Sequence, residues 1–558
     1  MKASPIDDTR RFTVNASVES LLLAASLFFV LAANQPFFAG ALKGYAPSAP
    51  ATWGFALALG VMLTALHLLL LALLANRWTV KPLLAVTIVV SALAGFFMQH
   101  FGVFLDPSML RNVLHSDVGE ARELISPALF LHLLLFAVLP LLLLSRVRVL
   151  RRSWGRALAV RLGVLALAVL LMVGALLAVF QPFSSLMRNH KELRYLITPA
   201  NVVWSLGSVA AADLRGAAGP RQPIGLDASP GPSWAARARP QLVVLVVGET
   251  ARVANWGLSG YARQTTPGLA ALPVINFARV DSCGTNTEVS LPCMFAPVGR
   301  RDYDEVRIRG SESLLHVLAR AGVAVHWRDN QSGCKGVCEG LSQDSVLGLN
   351  LPGLCEQGHC MDEGLLHGLE ERLRQAAAGR GSQLLVLHQL GNHGPSYFRR
   401  YPPAFARFQP ACAQDDLQKC TRQEIVNAYD NALLYTDHVL ARLIETLGRH
   451  ADRLDSALVY VSDHGESLGE NNLYLHGLPY AIAPDVQKQV PMVMWLSDGM
   501  PRAVGLDAAC LRRRAAQPAS HDHLFHTVLG LLDVRTALYA PGWDLTHGCR
   551  APPPEAPR

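Results

Sequence analysis

A chain of 558 residues is long enough for several domains. Its mean hydropathy of +0.24 marks it as apolar overall, and the apolar weight falls before residue 182, so a membrane part precedes a soluble one. The net charge of +7 is modest, and no Lys/Arg block is interleaved with aromatics, which argues against nucleic acid as a partner.

Five apolar runs predict spanning helices: Val18–Pro36, Thr52–Ala75, Leu83–Met98, Ala128–Ser145 and Leu162–Phe180. The third falls short of the roughly 20 residues a span needs. Arg10 and Arg11 precede the first run, Arg77 and Lys81 follow the second, and Arg146, Arg148, Arg151, Arg152 and Arg156 lie between the last two. The positive-inside rule then puts the N-terminus in the cytoplasm and everything after residue 181 outside it. No small-residue cleavage site follows the first run, so a removed signal peptide is not expected.

The loop Asp106–Ile125 reads as a polar helix outside the membrane. Asn112, Ser116 and Glu120 are spaced to share one face of it. That face is either simply solvated or a polar shelf for a lipid headgroup. Ser184–Arg215 reads as a bridging segment, and Gly216–Pro240, rich in Pro, Gly, Ala and Arg, as a surface linker. The expected domains are therefore 1–181 in the membrane, 182–240 bridging, 241–550 soluble and 551–558 a Pro-rich disordered tail.

From Gln241 short apolar runs alternate with helical stretches. Leu242–Val247, Val323–Trp327, Leu384–Leu387, Ala457–Val461 and Met492–Leu496 suit strands of a parallel sheet covered on both faces. Helices are predicted at Glu312–Ala321, Met361–Ala378 and Gln423–His450. The fold class is thus a multi-domain chain, five transmembrane helices followed by a doubly wound α/β domain. Such sheets bind ligands beyond the carboxyl ends of their strands. There the sequence puts Glu249, His388, Asn392-His393-Gly394-Pro395 and Asp463-His464-Gly465-Glu466.

All ten cysteines follow residue 282, and eight are close sequence neighbours. Buried thiols or a zinc–thiolate cluster would account for them, but disulfides in an oxidising compartment fit better, because the thiol-free part is the membrane part. A bridge from Cys283 to Cys293 would stiffen Ser282–Pro292, which carries Thr285 and Thr287. A hydroxyl held there beside a metal can act as a nucleophile. Glu249, Asp463 and His464 supply oxygen and imidazole ligands suited to zinc, or to manganese as second choice, with a threonine oxygen in the fourth position. Singly, an Asp-His pair or a Glu after a strand is more often structural. Three strand ends converging with one framed Thr loop is a far more specific pattern.

Four runs, Gly248-Glu249-Thr250-Ala251-Arg252, Cys283 to Phe295, Asn392 to Pro395 and Asp463 to Glu470, together resemble the bacterial phosphoethanolamine transferases. These modify lipid A and related acceptors and include enzymes of polymyxin resistance. The resemblance covers nearly the whole chain. It implies an inner-membrane, multi-pass protein with a periplasmic domain of the alkaline phosphatase/sulfatase type, a phosphatidylethanolamine donor, a lipid A acceptor and a monomeric state. It implies Thr287 as nucleophile, Glu249, Asp463 and His464 as ligands for one or two zinc ions, and His393 and His476 as groups binding the transferred moiety or a second zinc. Lys335 and Glu466 would line the same pocket, and Asn112, Ser116 and Glu120 would contact the headgroup. The family's local disulfides would be Cys334–Cys338, Cys355–Cys360 and Cys412–Cys420, leaving Cys510 and Cys549 as the remaining pair. Transfer to lipopolysaccharide core or another periplasmic acceptor, a phosphoglycerol transferase or a sulfatase-type hydrolase are the enzyme alternatives, and a membrane-anchored zinc-binding or assembly protein the non-enzyme one. One residue departs from the pattern. Glu288 follows the nucleophile position where a smaller or uncharged residue is expected, and backbone, an ethanolamine ammonium and solvent are all open to its carboxylate.

Overall fold

The structure, a computed structural model, describes residues 13–116, 118–216, 221–356 and 359–550. The chain forms two compact units. One holds the residues up to Leu110 together with Ile125–Ser208, and the other holds Arg111–Leu124 together with the chain from Val209 on.

In the first unit, four helices are long and apolar enough to cross a bilayer: Pro50–Leu74, Val80–Phe101, Pro127–Ser145 and Trp154–Ala178. The span expected at Val18–Pro36 is instead a bent pair, Val18–Ala33 and Gln35–Ala41, meeting at 61°. Among the described residues the count is four, or five if this pair is one span. The bend has a local cause. Pro36 cannot donate a helical hydrogen bond, and the Asn34 amide donates to the carbonyls of Phe29 and Thr198 at 2.8 and 2.7 Å. The third expected span, short in the sequence, is extended at both ends, by Val80, Lys81 and Pro82 and by Gln99, His100 and Phe101, to a helix of 22 residues. Val14–Ala16 pairs with Val147–Val149, so the chain before the first span and the Arg-rich loop lie on one side of this unit. Arg161 donates to the carbonyl of Ala72 at 2.9 Å, a cation at the C-terminal end of the Pro50–Leu74 helix.

The loop Asp106–Ile125 is two helices rather than one, Pro107–His115 and Val118–Glu123. The Ser116 hydroxyl donates back to the Asn112 carbonyl at 2.9 Å just past the first helix, taking an acceptor that a continuing helix would use. The single face expected for Asn112, Ser116 and Glu120 is therefore broken after Asn112. Glu120 lies in the second helix, and its side chain falls outside the described residues.

The second unit is built on an eight-stranded sheet. Its strands are β1 Gln241–Gly248, β2 Ile275–Asp281, β3 Ala324–Asp329, β4 Ser342–Ser345, β5 Ser382–His388, β6 Asp455–Ser462, β7 Gln489–Leu496 and β8 Ala519–Ser520. The spatial order is β8-β2-β7-β6-β1-β5-β3-β4. The sheet is mixed, correcting the expected parallel one: β7 runs antiparallel to both β6 and β2. Central β1 shows why the strands read as continuous apolar runs. Val243, Leu245 and Val247 pack into one core layer, and Leu242, Val244 and Val246 into the other. Each such side chain stabilises the fold by about 1.5–3 kcal/mol through burial.

The helices expected at Glu312–Ala321 and Gln423–His450 are present as Leu314–Arg320 and Arg422–Gly448, their starts set by caps. Thr421 and Glu424 form a capping box for Arg422–Gly448, and Ser313 caps Leu314–Arg320. The helix expected at Met361–Ala378 is split by Gly368, at φ +71°, into a 3-10 turn Asp362–Leu366 and a helix Leu369–Ala378. Of the expected linker, residues 221–240 are described and are more ordered than a bare linker. Ser229–Pro230 pairs with Val534–Arg535, and the Trp234 indole donates to the Leu532 carbonyl at 2.7 Å.

Candidate active site

β1 and β6 are neighbouring parallel strands, so the residues following them emerge at the same edge of the sheet. Glu249 follows β1 and is fully buried. The next residue, Thr250, has φ +53°, a left-handed conformation that a β-branched residue adopts only under constraint. Tyr429 supplies it: its hydroxyl donates to the Thr250 carbonyl at 2.6 Å and accepts from the Arg252 amide at 2.9 Å. Asp463 and His464 follow β6, also fully buried. Gly465 lets the chain turn away, since a Cβ there would sit 2.1 Å from the Val486 carbonyl oxygen.

The atoms are arranged so that one edge of each group is occupied and the other left over. Asp463 Oδ1 accepts from the amides of Thr250 and His464 at 3.3 and 2.7 Å, while Oδ2 is buried without a hydrogen bond. Glu249 Oε2 accepts from Thr287 Oγ1 at 3.1 Å and Gln331 Nε2 at 3.3 Å, while Oε1 has none. His464 Nδ1 faces the Gly465 carbonyl at 2.9 Å. That holds a proton on Nδ1 and leaves Nε2 as the nitrogen turned inward. Nε2 stands 3.2 Å from Glu249 Oε1, 3.4 Å from Asp463 Oδ2 and 3.4 Å from Thr287 Oγ1.

Thr287 opens the helix Thr287–Met294, and Asn286 caps it by accepting from the Val289 amide at 3.0 Å. The positive end of the helix thus lies at the hydroxyl. Cys283–Cys293 ties the loop before the helix to its last turn. The other bridges are Cys334–Cys338, Cys355–Cys360, Cys412–Cys420 and Cys510–Cys549.

Charge is crowded here. Burial pushes Asp463 up to about 7, and the neighbouring Glu249 carboxylate adds to the rise. Burial acts on Glu249 in the same direction, but His464 with His393 and His476 overrides it and holds Glu249 well below the carboxylate range. His464 is opposed by burial yet raised to about 10 by Asp463 and Glu249. Behind it the His464 and His476 rings lie 4.3 Å apart, and His476 and His393 5.5 Å. His476 Nδ1 is 3.2 Å from Glu466 Oε2. Burial and then the His464 charge lower His476 to about 3, and burial lifts Glu466 to about 8. Lys335, at φ +48° inside the Cys334–Cys338 loop, holds its ammonium 2.8 Å from Ser332 Oγ.

Residues 63–214 match the family model described as phosphoethanolamine transferase EptA/EptB, and residues 241–534 match the sulfatase model. The phosphoethanolamine transferase EptA of Escherichia coli K12 is 39% identical over 95% of this chain and 96% of its own length. The chain belongs to the phosphoethanolamine transferases. Escherichia coli phosphatidylethanolamine transferase Mcr-1 is 37% identical over 93% of the chain and 96% of its own. The solved integral membrane lipooligosaccharide phosphoethanolamine transferase EptA of Neisseria meningitidis superposes with a TM-score of 0.92 at 39% identity, over 96% of this chain and all of that one. The protein is therefore a transferase of the alkaline phosphatase/sulfatase superfamily, with apolar membrane helices before its catalytic domain.

In this transferase, ligand atoms of Glu249, Asp463 and His464 lie within 4.8 Å of one another. Two buried carboxylate oxygens without donors and one inward-facing imidazole nitrogen fit a divalent cation of the zinc type. Of the residues expected in the site, Glu249, Thr287, Asp463 and His464 come together directly, and His393, His476 and Glu466 form the layer behind. Lys335 reaches the neighbourhood through Glu288, at 3.2 Å. Asn112 and Ser116 bond to each other, and no contact of either with the cluster is seen among the described residues. Sequence reading missed Gln331, which follows β3 on the same sheet edge and donates to Glu249. Its position after a strand end is a signal, but an amide is not a usual ligand type. It also missed His115 and Arg309, both on Glu288, the first from a segment far away in the chain and the second from the next helix, Glu305–Gly310.

Proposed function

We propose that this protein transfers phosphoethanolamine from phosphatidylethanolamine to a lipid A phosphate through a covalent intermediate on Thr287. The observation that carries the reading is the Thr287 hydroxyl, 3.1 Å from Glu249 and 3.4 Å from His464, at the rim of a cluster whose inward oxygens have no donors. Glu249, Asp463 and His464 would hold zinc. Bound there, zinc supplies positive charge that lowers the pKa of the hydroxyl and steadies phosphoryl oxygens.

The residues themselves account for the rest. Thr287 Oγ1 forms the new bond to phosphorus, and the ester bond to diacylglycerol breaks. The hydroxyl proton passes to His393 or His476 and on to the diacylglycerol oxygen, which leaves as an alcohol. Burial keeps His476 neutral at ordinary pH. An oxygen of the singly protonated acceptor phosphate then attacks the phosphothreonine, the bond from phosphorus to Thr287 Oγ1 breaks, and the acceptor's proton passes to Thr287. Lys335 and the N-terminal end of the Thr287–Met294 helix offer positive charge to the phosphate.

The relatives' activity, the apolar helices and the disulfides support a bacterial inner-membrane protein with a cytoplasmic N-terminus and a periplasmic catalytic domain. Donor and leaving group are both lipids, so anchoring shortens the search for substrate. The product would carry an added ammonium beside its phosphate, weakening the attraction of cationic peptides such as polymyxin. Lipid A mass analysis of a host expressing the chain tests this. A phosphoethanolamine mass increment that disappears in Thr287→Ala is expected. An increment on core sugars alone would replace the acceptor, and an unchanged increment in Thr287→Ala would remove the nucleophile.

A further inference from the structure

Glu288 is the residue that departs from the family pattern, and its surroundings are specific. The side chain is 1% exposed, which removes solvent from the placements open to it. Two cationic side chains and an imidazole, from three separate parts of the chain, converge on its carboxylate. Lys335 Nζ lies 3.2 Å from Oε1, Arg309 lies 3.1 Å from Oε2, and His115 Nδ1 lies 3.2 Å from Oε2. Arg309 also donates to the Glu288 carbonyl, which holds the second residue of the nucleophile helix at both ends. A carboxylate already enclosed by these groups has little attraction left for a further ammonium. Lys335, in contrast, needs what Glu288 gives. It sits at φ +48° in the short loop closed by Cys334 and Cys338, 7% exposed, and its flexible four-carbon stem also reaches the Ser332 hydroxyl.

We propose that Glu288 is a positioning residue: it holds the Lys335 ammonium beside Thr287, for the phosphodiester of the donor, and fastens the segment bearing His115 to the nucleophile helix. The donor's ammonium is not its ligand. This rests on the transferase reading given above, in which Thr287 accepts the phosphoryl group.

The test uses the full-length membrane protein, a fluorescent phosphatidylethanolamine, and the variants Glu288→Gln, Glu288→Ala, Lys335→Ala and Glu288→Ala with Lys335→Ala. Zinc content and thermal unfolding are measured alongside, and Glu288→Gln keeps the side-chain shape should Glu288→Ala fold poorly. Each single change is expected to lower kcat/KM about tenfold or more, with zinc content unchanged. The double variant is expected to fall no further than Lys335→Ala, because the two residues act as one unit. A purely structural Glu288 would give falls that multiply, and that result overturns the proposal, as does full activity in Glu288→Gln or in Lys335→Ala. A second readout concerns the ammonium. Preference for phosphatidylethanolamine over a phosphatidylethanol analogue is expected to be the same in wild type and Glu288→Gln, and a preference lost in the variant overturns the proposal too. Inactive wild type, or a fully active Thr287→Ala, would instead sink the transferase chemistry, which keeps the two failures apart.

Discussion

Arg400 and Glu123 form an ion pair in which both side chains are buried, at 1% and 2% exposure. Arg400 also donates from Nε to the His393 carbonyl at 2.7 Å. The pair thus links Val118–Glu123 to the loop that presents a histidine of the site. A buried pair is weak evidence for net stability, but breaking one leaves an unpaired charge. Glu123→Ala is therefore expected to cost about 3–5 kcal/mol in thermal unfolding of the full-length protein. Activity should fall with it, because the His393 loop loses its anchor. Unfolding within experimental error of wild type would show that Arg400 finds another partner.

The metal cluster gives a sharper outcome. Asp463→Asn keeps Oδ1 for the amides of Thr250 and His464 but replaces the inward oxygen with a donor. Metal content measured by elemental analysis is expected to fall at least about tenfold, and activity with it. Treatment of wild type with a chelator should reproduce the loss, and added zinc should reverse it. Gln331→Ala removes a donor to Glu249 without removing a ligand, so a smaller loss of affinity is expected there. Full zinc occupancy in Asp463→Asn would mean the cation sits elsewhere.

The residues of that cluster were legible in the sequence for a physical reason. β1 and β6 are central and buried on both faces, so they read as unbroken apolar runs, and the polar residue that ends each run stands out. Outer strands carry no such signal. β2 contains Asn276, Arg279 and Asp281 and is half open, and β4 is Ser-Gln-Asp-Ser. The direction of β7 was not readable either, since an apolar run looks the same parallel or antiparallel when covered on both faces. The Asn112, Ser116 and Glu120 spacing misled because helix periodicity assumes an uninterrupted helix, and a serine hydroxyl returns to the backbone at its end. The partners of Glu288 were out of reach of any local reading: His115 and Lys335 are joined only by the fold.

Asp329 and His388 set a pH window. They end the neighbouring strands β3 and β5, with His388 Nδ1 2.8 Å from Asp329 Oδ1. Burial opposes charge on both. Pairing overrides it, holding Asp329 below its ordinary 3.8 and lifting His388 above 6.5, with Glu249 and Asp463 adding to the second shift. Asp329's contribution is present above pH 3.8 and lost as pH falls through its depressed value. His388's is present below pH 6.5 and lost as pH rises through its raised value. Asp329→Asn is expected to lower stability by about 3–5 kcal/mol inside that window and by less on either side. Thermal unfolding across the window compares the two proteins, and parallel profiles would show that the pair does not titrate on folding.

Two disulfides separate stability from activity. Cys510–Cys549 closes a 39-residue separation between the helix Ala508–Arg514 and the turn His547–Cys549, and among the described residues the bridge's side-chain hydrogen bond goes to the Gly548 carbonyl rather than to a site residue. Cys283–Cys293 closes only 10 residues, but Thr287 lies inside the loop. By chain entropy the longer loop is worth about 4 kcal/mol and the shorter about 2–3 kcal/mol. Replacing both members of Cys510–Cys549 with serine is therefore expected to lower the unfolding temperature more, while leaving transfer to lipid A near wild type. Replacing both members of Cys283–Cys293 is expected to lower it less and yet reduce transfer at least about tenfold, because Thr287 must be held against Glu249 and His464 within about 0.5 Å to react. Measuring unfolding and transfer on both double variants decides it. Equal losses of activity would mean that the loop around Thr287 is held by the Asn286 cap and its buried hydrogen bonds, and the bridge adds stability alone.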